Sequence, residues 1–127
     1  MTTKIIELRK AISTLLLTVH SRVYYEDADD KAAFPYLVFN LVTSIDDGTL
    51  ENFVLDVDAW DAPIGGDTTA LETLISNVDA ALHRKTIYET GKVCVTFYRE
   101  NRLTLRDDDK RIRRRKYIFQ CRVFHRN

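Results

Sequence analysis

The stretch Asn52–Trp60 constrains the fold of this chain more than any other. Phe53, Leu55, Val57 and Ala59 alternate with Val54, Asp56, Asp58 and Trp60. A period of two sends the first set to one face of a strand and the second set to the other. One face is therefore buried and the other at least partly wet, as in an antiparallel sheet covered on one side. Asp47-Gly48 ahead of it is a hairpin signal, since both residues tolerate positive φ. The nearly continuous apolar run Tyr36–Ser44 supplies the other arm. Two later segments read as strands: Lys92–Glu100, with Val93, Val95 and Phe97 on one face, and Arg115–His125, with Tyr117, Phe119, Cys121 and Val123.

Two segments carry the helical period instead. Ile5, Leu8, Ile12, Leu15, Leu16 and Val19 form one stripe within a helix expected from Thr3 to His20. Leu71, Leu74, Ile75, Val78, Ala81 and Leu82 form a second. Thr69-Ala70-Leu71-Glu72 has the form of a capping box, with Asp67 as the competing cap. His83, Arg84 and Lys85 suit the negative end of that helix. Arg22–Tyr25 reads as a short extended piece and Glu26–Lys31 as an acidic loop. Pro35 biases Phe34 toward an extended conformation. The order is α-β-β-α-β-β. It predicts an α+β two-layer sandwich, an antiparallel sheet of about four strands with two helices on one face. A long charged hairpin, arms Arg102–Arg106 and Lys110–Arg114, extends beyond the sheet between the last two strands. At 127 residues, a single domain over 1–127 is expected.

Lys4, Arg9 and Lys10 before the apolar run Ala11–Val19 faintly resemble a signal peptide. Glu7 interrupts the basic region and no small-x-small cleavage site follows, so the amphipathic helix is the better reading. No apolar stretch approaches the ~20 residues of a membrane span.

The zero net charge hides a steep split. Residues 1–82 carry 5 basic and 14 acidic side chains, and residues 83–127 carry 14 basic and 5 acidic. Such an asymmetry points outward, to an anionic partner such as DNA or to a contact between the acidic and basic faces of neighbouring copies.

Chemistry finds little support. Asp56 and Asp58 share one side of a strand, but no His or Lys accompanies them in sequence as an acid/base or metal partner would. Glu26–Asp30 and Asp107–Asp109 lack the spacing of a calcium loop. The three histidines are isolated, and Cys94 and Cys121 form no CxxC or Cys/His cluster. No phosphate-binding glycine motif or nucleophile elbow is present. No catalytic residue, metal site or cofactor is assigned. Residues 99–116 hold nine basic and four acidic side chains. They read first as a protein-docking arm, then as a solvated hairpin, then as a nucleic-acid footprint, since the interleaved aromatics of a single-strand binder are missing.

The order of these features is similar to a known family. An amphipathic helix precedes Arg22-Val23-Tyr24, an acidic loop and Phe34-Pro35-Tyr36-Leu37-Val38-Phe39; a strand ends in Trp60, a helix ends Ala81-Leu82-His83, and a strand pair encloses a charged turn. The chain resembles, over nearly its whole length, the small tail-completion (tail terminator, tail-to-head joining) proteins of long-tailed bacteriophages and related prophages. Residues 101–114 are more basic than that family leads one to expect.

The resemblance implies a non-enzymatic virion protein that caps the tail tube as a ring of copies, commonly six, and offers the surface to which the head attaches. Implied partners are further copies, the tail tube protein and a head-completion or neck protein; the implied place is the head–tail junction after assembly in the host cytoplasm. No membrane partner is expected, and direct DNA contact is not favoured. The candidate interface pairs acidic Asp27, Asp29, Asp30, Asp46, Asp47, Asp56 and Asp58 with basic Arg102, Arg106, Lys110, Arg111, Arg113, Arg114, Arg115 and Lys116. A head–tail connector or minor capsid protein of the neck, and a small nucleic-acid-binding domain using residues 99–116, are the alternatives.

Overall fold

A computed structural model describes residues 4–46, 50–88 and 94–124. Helix α1 (Lys4–Leu17) leads into β1 (Val23–Tyr25), β2 (Tyr36–Asp46) and β3 (Leu50–Asp61). A short 3-10 turn at Ile64–Gly66, with Gly65 and Gly66 at φ of 71° and 76°, reverses the chain into α2 (Thr69–Leu82). Strands β4 (Thr86–Tyr88), β5 (Cys94–Arg106) and β6 (Arg113–Phe124) follow. Among the described residues no helix is long and apolar enough to cross a membrane.

The sheet departs from the expected four antiparallel strands. It has six strands in the order β1-β2-β3-β6-β5-β4, curved as a half-barrel. It is also mixed, because β1 pairs with β2 in parallel while the other pairs are antiparallel. The two added strands have three residues each, too short to display a period of two. Only pairing makes them strands. Leu37 N–H donates to Arg22 O at 2.9 Å and Glu26 N–H to Phe39 O at 3.0 Å, locking β1 against β2.

The charged hairpin is also placed differently from the expectation. β3 pairs with β6 along its whole length, from Leu50 opposite Phe124 to Asp61 opposite Arg113. Arg113–Lys116 therefore lies inside the sheet, and only the turn at 107–112 projects. The cause is length: β3 runs 12 residues and reaches the turn that joins β5 to β6.

Both helices cover one face. Leu8, Ile12 and Leu16 of α1 and Leu71, Leu74, Ile75, Val78 and Leu82 of α2 join Leu37, Phe39, Leu55, Val57, Val95, Phe97, Phe119 and Val123 in one buried cluster. The alternation of Asn52–Trp60 holds as read. Helix α2 starts without the expected box: Thr69 lies inside the helix, and its backbone N–H donates to Asp67 Oδ1 at 3.0 Å. Glu72 is released from capping and reaches β6 instead, accepting from Arg115 Nε at 2.6 Å. Arg84 and Lys85 continue the sheet: Arg84 N–H donates to Phe97 O at 2.7 Å and Phe97 N–H to Lys85 O at 3.0 Å. The Asp47-Gly48 turn and the ends at 92–93 and His125 lie outside the described residues.

Candidate functional site

The helix-free face of the sheet holds the polar and aromatic side chains that the period of two sends away from the core. Phe34 stacks on Tyr36, Tyr36 on Trp60, and the Arg114 guanidinium lies 4.6 Å from the Trp60 ring centre. Tyr24 of β1 meets Tyr36 edge-on. This row crosses four strands and carries the acidic loop with it. A cleft of about 470 Å³ opens between that loop and the sheet, lined by Glu26, Asp29, Asp30, Asn40, Asp58 and Arg114 among others.

The candidate interface residues fall into two sets. Asp58 accepts from Arg114 Nη2 at 3.0 Å, Asp56 from Lys116 Nζ at 3.3 Å, and Lys116 Nζ also stands 3.9 Å from Asp58. Arg115 holds Glu72, and Arg111 grips Asp109 with Nη2 at 2.8 Å and Nε at 3.1 Å. Arg113 donates to the backbone carbonyls of Lys110 and Ile112. Arg102 lies over Tyr117, 5.5 Å from its ring centre. The β3–β6 register therefore neutralises within one chain much of the charge that sequence spacing separated.

The second set keeps its charge. Asp29 Oδ1 accepts a backbone N–H from Lys31 at 3.3 Å, and no cation meets Glu26, Asp27, Asp29 or Asp30 among the described residues. Arg106 and Lys110 likewise have no carboxylate partner among the described residues. They border a cleft of about 360 Å³ with Thr104, Asp107, Arg113 and Arg115. Asp46 ends β2 without a described side chain, and Asp47 lies outside the described residues.

Burial pushes the Asp58 carboxyl above the usual range, against the opposing pull of Arg114 and Lys116. Its Oδ1 is buried without a hydrogen-bond partner. Arg111 holds Asp109 down at about 2. Burial drives the Cys121 thiol far above its ordinary value, which makes it a packing residue rather than a nucleophile. Among the described residues no three His, Cys, Asp or Glu side chains are grouped to hold a metal ion. Sequence reading missed Phe34, Tyr36 and Tyr24 as partners of Trp60 and Arg114; the register that stacks them has no local signature.

In class the chain is an α+β protein, a six-stranded half-barrel sheet backed by two helices. Two solved structures share the fold. One is a chain of the virion of a native gene transfer agent particle, 14% identical, with a TM-score of 0.72 over 98% of this chain and 100% of that one. Another, 15% identical, gives a TM-score of 0.73 over 99% of each. No relative of curated function matches. The family model described as tail completion protein gp17 matches residues 3–125, and the chain belongs to that family of structural bacteriophage tail proteins.

Proposed function

We propose that this chain is a tail terminator: copies close into a ring on the end of the tail tube, stop its growth and present the surface to which the head attaches. The observation that carries this reading is where the unneutralised charge sits. The acidic loop follows β1 at one side of the strand order, while Arg106 and Lys110 belong to β5 and its turn toward the other. Copies side by side then bring unlike charge together at every contact, a heterologous interface that closes by rotation. Six copies is the number the family resemblance favours. The role is structural, with no cofactor and no catalysis, at the head–tail junction after assembly in the host cytoplasm. Other partners are the tube protein on one ring face and a head-completion or neck protein on the other.

Asp56, Asp58, Arg114, Arg115 and Lys116 serve this reading as the internal frame of the contact, and Asp27, Asp29, Asp30, Arg106 and Lys110 as its charged surface. Asn substitution at Asp27, Asp29 and Asp30 together, followed by sedimentation and by negative-stain imaging with tail tubes, tests it. The parent should sit at one tube end and associate less as salt rises; the triple variant should bind weakly at all salt concentrations. Parent protein found along the tube wall, or association indifferent to both salt and substitution, would sink the proposal.

A further inference from the structure

β1 and the lower half of β5 lie far apart in the strand order but on the same rungs. Tyr24 pairs with Val38, Val38 with Asp58, Asp58 with Lys116 and Lys116 with Leu103. The neighbouring rungs run Val23–Leu37–Ala59–Arg115–Thr104 and Tyr25–Phe39–Val57–Tyr117–Arg102. Both strands have a bare outer edge among the described residues. β1 ends the strand order. β4 covers β5 only at Cys94–Thr96, and the chain after α2 extends the cover as far as Arg99, whose N–H donates to His83 Nδ1 at 2.9 Å. On the side away from β6, residues 100–106 have no strand beside them among the described residues.

The outward-facing backbone groups of the two edges match. Arg22 O and Glu26 N–H bond to β2, so alternation turns the N–H and C=O groups of Val23 and Tyr25 outward; the Tyr25 C=O already accepts from Asp27 N–H at 2.9 Å and has one lone pair left for a partner strand. On β5, Phe97 and Arg99 face outward before the bulge between Arg99 and Asn101. The extra residue shifts the alternation, so Arg102, Thr104 and Arg106 face outward after it. Among the described residues, the exposed Arg102 N–H is met only by the side chain of its own neighbour Asn101, at 2.8 Å. β1 and β5 also run in opposite senses, since β1 is parallel to β2 and three antiparallel steps separate β2 from β5.

We infer that β5 of one copy pairs antiparallel with β1 of the next, Val23, Tyr24 and Tyr25 lying opposite Thr104, Leu103 and Arg102, so that the sheet continues from subunit to subunit. This rests on the ring reading above and specifies its contact. The occupant is a second copy in head-to-tail arrangement. Two β5 edges meeting about Thr104 would set Arg102 directly opposite Arg106, which like charge opposes. Tyr25 opposite Arg102 repeats the guanidinium-over-tyrosine contact that Arg102 makes with Tyr117 and Arg9 with Tyr25.

A cysteine cross-link tests the register. On a Cys94→Ser background, Tyr24→Cys and Leu103→Cys are combined in one chain, which is assembled on tail tubes and oxidised. A ladder of disulfide-linked multimers is expected from the double variant, and a dimer from a mixture of the two single variants. Rings that form without cross-linking overturn the pairing and leave the ring standing, as does a dimer from Leu103→Cys alone. Absence of any association removes both readings. Thr104→Pro deletes one outward N–H without touching the β5–β6 ladder. It should weaken self-association at least tenfold with an unchanged circular dichroism spectrum, and association as tight as the parent's overturns the pairing.

Discussion

Asp58 and Arg114 form a diagonal ion pair across β3 and β6. The direct register partner of Arg114 is Trp60 and that of Asp58 is Lys116, yet Arg114 Nη2 leans two rungs over to Asp58 Oδ2 at 3.0 Å. The Asp58 side chain is 6% exposed and that of Arg114 26%. Removing the cation leaves a buried carboxylate that Lys116, at 3.9 Å, only partly compensates. Arg114→Met is expected to cost about 2 kcal/mol, less than a fully buried pair because Arg114 keeps some solvent. Asp58→Asn removes the charge that burial opposes and should cost under about 1 kcal/mol. Urea unfolding of both variants checks the ranking, and a costlier Asp58→Asn would contradict it.

Asp58 and Asp109 should act on stability in opposite directions. Asp109 titrates near 2 in the folded chain, below its ordinary 3.8, because Arg111 binds its ionised form. Its contribution is complete above about pH 4 and disappears as pH falls through 2. Burial raises Asp58 above 3.8, so the folded chain holds that proton more tightly than the unfolded one. Its contribution is greatest below 3.8 and declines as pH rises through the raised value. A carboxyl-carbon NMR titration should place Asp58 above 3.8 and Asp109 near 2; the reverse order would refute both assignments.

Phe119 sits at the middle of the core, fully buried between Leu55 of β3 and Arg99 of β5. Phe119→Ala should destabilise the chain by about 3–5 kcal/mol, through lost burial and the cavity left behind. A thermal or denaturant midpoint close to the parent's would mean that the helices do not close over β6 as described.

The start of α2 separates two capping schemes. Asp67 Oδ1 accepts from the backbone N–H and the hydroxyl of Thr69, while Glu72 faces Arg115. Asp67→Ala should lower the melting temperature by a few degrees, whereas Glu72→Ala should leave it nearly unchanged. Equal losses would restore a capping role for Glu72.

The long elements were legible because their periods repeat over many residues. The apolar stripes of α1 and α2 and the alternation of β3 and β6 each present a face that has to be buried. β1 and β4 were not legible as sheet strands, since three residues carry no period and their status comes from partners elsewhere. The interface list was legible as charge but not as availability. Arg114, Lys116 and Asp56 look as free in sequence as Arg106 and Lys110.

What the sequence determined by itself was therefore the set of faces: which residues avoid water, which helix stripes must dock, and that acid and base are segregated along the chain. What only the tertiary structure decided was register. Register sets Asp56 and Asp58 beside Lys116 and Arg114, leaves Arg106 and Lys110 without a carboxylate among the described residues, and puts β1 on the rungs of the bare β5 edge. The reason is physical. Burial is a property of each side chain and its near neighbours in the chain, whereas pairing depends on strands that meet only once the sheet has formed.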